Sequence, residues 1–465
     1  MFPLQHSFWY GHGAPPECVR DFDAWKRRNG LGGSQRIWNG HTWYGMDPEK
    51  DFAKHPEWFG LVEGKRRPDK PCYSNPEVVR QAIDYAMEHA AKGVEMVSLT
   101  PPDYTGFCEC DRCRATLRGG APFHEFGALF GRLENGVVLS ATSETLFEFA
   151  NQVAEAVAAK YPKTLLGILA YSAYSQPPSF KLHPNLFLQT TAEIRRTQLP
   201  LDEQLDQLKQ RVSRIGIYEY FSVYHWDWDY PNPAKVAPAP LVNNLRLYAS
   251  KGVTSLNAEA SNNWAARGIG YYLSAKLMWD LDTDVKAVVD DFFSKAFGAA
   301  AAPMRRYFDR WYRFDARPPA VAAKYILPDR PNPDRELTDE VMRAAFRELD
   351  EAATLAKDDA GALARVDHIR MYLHYMFLRR QLEKTGSLAA IREETLFAGR
   401  LTYTNMIHFQ PIINREFPRR FKKYEAQLAT VSEAQKKSWI RIGQPPDHDE
   451  LERLWEADKQ ALFKD

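Results

Sequence analysis

The 465-residue sequence predicts an α/β chain: a (β/α)8 TIM-like barrel over residues 1–280, followed by an all-helical C-terminal domain over residues 281–465. Three observations carry this. Short apolar, β-branched or aromatic runs alternate with amphipathic stretches as far as Asp280, the pattern of repeated βα units and a parallel sheet. Beyond Asp280 the strand-like runs stop, and apolar residues recur only at helical spacing. The length suits a barrel of about 250 residues plus a second unit of roughly 200.

The strand runs are residues 6–10, 35–39, 95–100, 164–171, 185–191, 215–221 and 253–258. These seven are one short of a closed barrel, and no eighth run stands out. Between them Asn75-Pro76 opens a helix that runs through Glu88, Asn serving as cap and Pro occupying the first turn. Residues 143–160 form another. Segments 41–71 and 104–139 are long insertions after the second and third strands. Loops that follow strands lie at the C-terminal rim of a barrel, where such folds keep their active sites. In the second half, residues 285–297, 302–314, 338–355, 362–385 and 432–439 read as helices, with a Pro-rich connector over 318–333. Their expected role is support, with one loop reaching the rim.

Acidic and basic residues balance, 60 against 61, so no field draws a polyanion and no nucleic-acid partner is expected. No apolar run approaches the roughly 18 residues that a membrane span needs, so no membrane partner is expected either. Residues 1–10 lack the basic start and long apolar stretch of a secretion signal. No feature of the sequence sets an oligomeric state. The 12 Trp and 22 Tyr fall largely in Gly-, Pro- and Asn-punctuated segments, where aromatic faces and polar groups suit an oligosaccharide or glycan. Any single one of them packs under a loop just as readily.

Four of the five cysteines form a pattern: Cys72 in one insertion, and Cys108, Cys110 and Cys113 as C-x-C-x-x-C in the next. Thiols so close in sequence rarely meet disulfide geometry with one another. They can converge on one ion, a closed tetrahedral zinc site of structural kind. One disulfide from Cys72 with two free thiols is the equal alternative. Either way the cluster staples, and no cofactor is expected for catalysis.

Glycosidic cleavage needs a proton donor at the leaving oxygen and a second group that stabilises an oxocarbenium-like centre, so strand-end carboxylates are the first candidates. Asp103 leaves the third run, Glu219 stands at the mouth of the sixth beside Tyr218, and Glu259 ends the seventh. Around them stand the candidate sugar contacts: His41 and Trp43 after the second run, and Tyr171 after the fourth. Trp226 and Trp228 follow the sixth, and Asn263 and Trp264 the seventh. The chain has no Gly-x-Ser-x-Gly elbow, phosphate-cradling loop, dinucleotide fingerprint or His-Glu-x-x-His.

Several phrases recur together as a family signature. They are Arg-Asn-Gly-Leu-Gly-Gly-Ser followed by Gly-His-Thr-Trp, and His-Pro-Glu-Trp-Phe-Gly-Leu-Val-Glu-Gly-Lys-Arg. The Cys72 loop with Ser-Asn-Pro-Glu-Val comes next, then Val-Ser-Leu-Thr-Pro-Pro-Asp with C-x-C-x-x-C, and Tyr-Leu-Ser-Ala-Lys-Leu-Met-Trp-Asp. From Phe8 to Tyr312 the chain thereby resembles a large bacterial family known as a domain of unknown function and similar to glycoside hydrolase family 163. The resemblance implies a barrel of the kind shared by hexosaminidases and α-glucuronidases, and endo-β-N-acetylglucosaminidase activity on complex N-glycans. Two departures stand out: Pro101-Pro102 where a small polar pair would precede Asp103, and Glu219 where an Asp is more usual.

With a 2-acetamido sugar the substrate's own amide oxygen can attack the anomeric carbon, so the protein supplies one carboxylate to orient the amide and one acid for the leaving group. Glu259 or Glu219 is the expected acid and Asp103 the partner. Two other readings compete. One is an exo-acting α-glucuronidase-like hydrolase, for which Arg267 or Lys251 would meet a uronate. The other is a non-catalytic glycan-binding barrel.

Overall fold

The computed structural model describes residues 4–8, 16–31, 39–103, 107–116, 139–195, 197, 199–222, 230–260, 262–329, 332–408 and 417–464. Its centre is a curled parallel sheet built from β1 (Leu4–Phe8), β4 (Met96–Ser98), β5 (Leu165–Ser172), β6 (Leu186–Arg195), β7 (Ile215–Tyr220) and β8 (Ser255–Ala260). The strand order is β1-β8-β7-β6-β5-β4, so the first strand lies beside the last. A separate antiparallel hairpin, β2 (Phe59–Val62) and β3 (Lys65–Pro71), occupies the first expected insertion. Its two-residue turn has Glu63 and Gly64 at φ 51° and 72°, the positive values that let a tight hairpin match the strand twist.

Each of the six strands overlaps one expected run. The run 35–39 lies outside the described residues except for Asn39, whose Oδ1 accepts from the hydroxyls of Ser98 and Thr100 at 3.3 and 2.5 Å. An eight-fold closed barrel is not seen among the described residues. There β1 pairs only with β8 and β4 only with β5, so the sheet is a half-barrel with two unpaired flanks.

Helices follow the strands: α1 (Pro16–Arg28), α2 (Pro48–Lys54), α3 (Pro76–Ala91), α4 (Asp111–Ala115), α5 (Leu139–Lys160), α6 (Leu201–Lys209), α7 (Pro238–Ser250) and α8 (Trp264–Trp279). The Asn75 side chain caps α3 by accepting from Glu77 N, with Pro76 at the first position. Past residue 280 the described elements are helical: α9 (Val285–Phe297), α10 (Ala301–Tyr312), α11 (Pro333–Glu336), α12 (Asp339–Ala356), α13 (Ala360–Thr385), α14 (Leu388–Arg400), then Phe417–Lys423, Glu433–Trp439 and His448–Leu462. Asp284, Thr338, Asp359, Ser387, Ser432 and Asp447 cap them with side-chain oxygens. Most buried apolar residues belong to one cluster that runs from Leu31 to Leu462 and joins the helical half to the half-barrel, while Leu382, Ile391, Tyr424, Leu428 and Trp439 form a smaller cluster within the helical half.

Register separates the two faces of the sheet. Val97, Leu166, Ile168, Leu188, Ile217, Leu256 and Ala258 belong to the main helix-facing core. On the concave side Met96, Leu165 and Phe187 form a small cluster of their own. Gly216 is needed there: a Cβ at that position would stand 2.5 Å from Ser255 Oγ and 2.8 Å from the Phe187 ring.

Candidate active site

Parallel strands all leave the sheet at one end, and that end gathers the concave-face residues Tyr218 and Tyr220 of β7 with Asn257 and Glu259 of β8, paired Tyr218 to Asn257 and Tyr220 to Glu259. The Tyr218 hydroxyl donates to Glu259 Oε1 at 2.9 Å. Tyr220 is buried, and its hydroxyl is pushed well above the usual phenol range by that burial and by the fields of Glu259, Tyr218, Tyr171 and Asp103. One phenol therefore stands within electrostatic reach of both Glu259 on β8 and Asp103 after β4, strands that are not neighbours in the sheet.

Asp103 follows β4 and keeps 61% of its side chain exposed; its Oδ1 lies 3.7 Å from His41 Nε2. His41 Nδ1 lies 2.5 Å from the Pro101 carbonyl oxygen. A carbonyl only accepts, so Nδ1 carries hydrogen and Nε2 is the atom that gains or loses a proton opposite Asp103. Burial pulls the imidazole below its ordinary range, and Asp103 and the Pro101 carbonyl oppose that pull. The His41 ring meets Tyr171 at 5.9 Å between centroids, and Tyr171 in turn meets Tyr174 at 6.0 Å.

Beneath Asp103 sits Lys70, from β3 of the hairpin. It is 1% exposed, donates to the Pro102 carbonyl and lies 5.0 Å over the Phe107 ring. Burial pushes its ammonium down to about 7, with Asp103 and Asp69 acting the other way.

Glu219 is placed differently from the other two carboxylates. By register it belongs to the helix-facing side of β7, with Ala258 opposite, and only 2% of its side chain is exposed. Oε1 accepts from Tyr248 at 2.6 Å and from Tyr325 at 3.2 Å; Oε2 accepts from Tyr220 N at 2.7 Å and from Lys235 Nζ at 3.0 Å. Burial raises its carboxyl, and the donors from Tyr248, Tyr220 N and Tyr325 counter it. Lys235 also pairs with Glu193, and its own burial holds the ammonium far below the usual lysine range. The geometry makes Glu219 the anchor of a closed polar network rather than a group facing the rim. Tyr325 brings the connector between α10 and α11 into that network, and Asn244 fixes the same connector by exchanging hydrogen bonds with Ile326.

The other expected contacts divide. Trp43 is half-buried near Phe59. Asn263 is buried, donates to Ser222 Oγ and accepts from Tyr271. Trp264 packs edge-on to Trp25 at 4.8 Å and to Tyr271 at 5.6 Å, as a wedge between α1 and α8. Trp226 and Trp228 lie outside the described residues. Arg267 is buried and donates to Ser222 Oγ at 3.1 Å. Lys251 follows the C-terminal end of α7 and pairs with Asp206 of α6, which puts it at the end of the sheet away from the mouth.

The four cysteines converge as the spacing suggests. Their sulfur atoms all lie within 4.8 Å of one another, and Cys72 Sγ stands 3.8 Å from both Cys110 and Cys113. None of the four is in a disulfide. Hydrogen bonds from Cys108 and Cys113 hold the Cys72 thiol far down, while the same contacts push Cys113 far up, as expected when one negative charge is shared among close sulfurs. Four sulfurs gathered this closely could hold a cation, which would draw the protons off the remaining thiols. Zinc–sulfur bonds of about 2.3 Å in a tetrahedron require sulfur–sulfur edges of about 3.8 Å, so the residues present fit a zinc ion.

The sequence alone did not point to Lys70, Tyr220, Lys235 or Tyr325. Tyr220 had a signal, since it alternates with Tyr218 on the face that Glu219 does not share.

Comparison with solved structures finds likeness at low identity. A point mutant of the Thermobaculum terrenum O-GlcNAc hydrolase aligns at 10% identity with TM-score 0.45, covering 99% of this chain and 96% of that one. The protein named CpGH84B aligns at 10% identity and TM-score 0.32, with 98% and 77% covered. A GH138 enzyme targeting pectin rhamnogalacturonan II aligns at 9% identity and TM-score 0.27, with 92% and 65% covered. No curated protein matches the chain. A family model does match, over residues 17–309 and thus more than half of the length, and the chain belongs to that family, described as a domain of unknown function (DUF4838).

Proposed function

We propose that the chain is a glycoside hydrolase acting on a glycan, with β-N-acetylglucosaminide linkages as the substrate class and a retaining, substrate-assisted mechanism. The observation that supports this reading is that Glu259, held by Tyr218, and Asp103, held beside His41, both act electrostatically on the phenol of Tyr220.

In this mechanism Glu259 protonates the glycosidic oxygen as the bond to the anomeric carbon breaks. The acetamido carbonyl oxygen of the sugar attacks that carbon from the other face and forms a cyclic oxazolinium. Asp103 accepts the amide N–H and stabilises the positive charge that develops there. The Glu259 carboxylate then takes a proton from water, the water oxygen bonds to the anomeric carbon, and the ring opens with configuration retained. His41 orients Asp103, and Tyr171 offers an aromatic face at the rim. Glu219 holds the strand end in shape through Tyr248, Tyr325 and Lys235. The reaction as written uses no cofactor, and the cysteine cluster, a closed set without an open position, serves structure.

The test is product release from a panel of aryl β-glycosides and a free complex N-glycan, run with wild type, Asp103→Asn and Glu259→Gln. Turnover of a 2-acetamido substrate, lost in both variants, supports the reading. Binding without release by the wild type overturns it in favour of a glycan-binding barrel.

A further inference from the structure

We infer that Cys72, Cys108, Cys110 and Cys113 bind one structural zinc ion whose task is to clasp the β2–β3 hairpin to the loop that carries Asp103, with Lys70 as the second anchor of the same loop.

The geometry supports each part. The 3.8 Å separations from Cys72 to Cys110 and Cys113 match the edge of a tetrathiolate tetrahedron and are far longer than the roughly 2.05 Å of a disulfide. Donors of the kind that surround metal-bound thiolates are already aimed at the sulfurs. Leu61 N approaches Cys108 Sγ at 3.3 Å, Arg66 Nη1 the same sulfur at 3.8 Å, and Ser74 Oγ lies 3.0 Å from Cys113 Sγ. The Arg66 guanidinium also offsets part of the excess negative charge that four thiolates leave around a divalent ion.

The two anchors share one loop and one hairpin. Cys72 follows β3, and its N–H donates to Trp58 O ahead of β2; Cys108, Cys110 and Cys113 come from the loop after β4 and the start of α4. Glu109 N donates to Leu61 O, so that loop lies along β2. Lys70, in the same β3, fixes Pro102 next to Asp103. The metal thus holds the far side of the loop and Lys70 the near side, and loss of either frees Asp103 relative to His41.

The metal part stands on its own, whereas the coupling to Asp103 rests on the proposed hydrolase reading. Natively purified protein is assayed for metal content and by zinc-edge X-ray absorption. Wild type and Cys18→Ser are expected to carry one zinc per chain in an all-sulfur shell at about 2.3 Å, and Cys110→Ser to lose it. No zinc with four titratable thiols in Cys18→Ser, or a disulfide at Cys72 by mass spectrometry, overturns the metal. For the coupling, Lys70→Met is expected to retain its zinc and its circular dichroism spectrum while kcat falls at least tenfold and KM changes little. Unchanged kcat in Lys70→Met and in metal-stripped protein overturns the clasp. A zinc-loaded wild type that releases no glycan product overturns the hydrolase reading and leaves the metal assignment standing.

Discussion

The hydroxyl of Tyr218 on β7 reaches across to the Glu259 carboxylate on β8, donating at 2.9 Å, while the two residues sit on the same concave face of the sheet. The hydrogen bond orients the carboxyl group that is to reach the glycosidic oxygen, and a misplaced catalytic group costs up to about a hundredfold in rate. Tyr218→Phe is therefore expected to lower kcat/KM on a cleaved glycoside by that factor while leaving the melting temperature nearly unchanged. Steady-state kinetics beside a thermal melt separates the two effects.

Glu219 predicts the opposite balance. Its carboxylate faces Lys235, two phenols and a backbone N–H in a nearly closed environment, and removing one partner of a buried ion pair costs about 3–5 kcal/mol. Glu219→Gln is expected to lower the unfolding midpoint in denaturant clearly, and Tyr325→Phe to do so by less. A Glu219→Gln protein of wild-type stability whose activity is nevertheless abolished would make Glu219 a reacting group instead of a strand-end anchor.

Trp264 packs edge-on against Trp25 and Tyr271, and a Cβ added at Gly268 would meet its ring at 2.7 Å. Large-to-small aromatic substitutions in packed sites cost about 3–5 kcal/mol. Trp264→Ala is expected to destabilise on that scale, with KM for any glycan following stability rather than dropping out separately. Chemical denaturation together with substrate titration checks this.

His408, in the helical half, is buried, and that burial pushes its imidazole down to about 3 from an ordinary 6.5. Between those values the unfolded chain binds the proton that the folded chain refuses, so stability is fully present above about 6.5 and is lost as pH falls toward 3. The loss is on the order of a few kcal/mol across that window. Stability measured from pH 7 to pH 4 should fall less steeply in His408→Gln than in wild type.

Much of this was legible in the sequence because it is local. The six strands of the parallel sheet lie within a few residues of the apolar runs, Asn75-Pro76 opens α3, and the C-x-C-x-x-C spacing brings its thiols together near Cys72. The rest depends on long-range pairing. Glu219 looked equivalent to Glu259, yet the β7–β8 register sets Glu219 opposite Ala258 and Glu259 opposite Tyr220, so the two carboxylates belong to different faces. Lys70 lies in a run, Lys-Arg-Arg-Pro-Asp-Lys-Pro, with no apolar alternation to mark a strand, and that run becomes half of a hairpin whose last lysine is buried. Tyr325 contacts Glu219 across 106 positions of sequence, a separation over which no periodicity carries information. Trp264 looked like a sugar platform because its partner Trp25 stands on α1, a helix that the apolar spacing did not announce.

In the proposed reaction Asp103 and Glu259 act as a pair on one glycosidic bond. The direct measurement is kcat/KM of wild type, Asp103→Asn, Glu259→Gln and the double variant on a cleaved 2-acetamido glycoside. A working pair gives losses of about a hundredfold or more in each single variant, and a double variant little worse than either one, because groups that act as a unit do not add. Single variants that retain most of the wild-type rate, or losses that simply multiply, would contradict it.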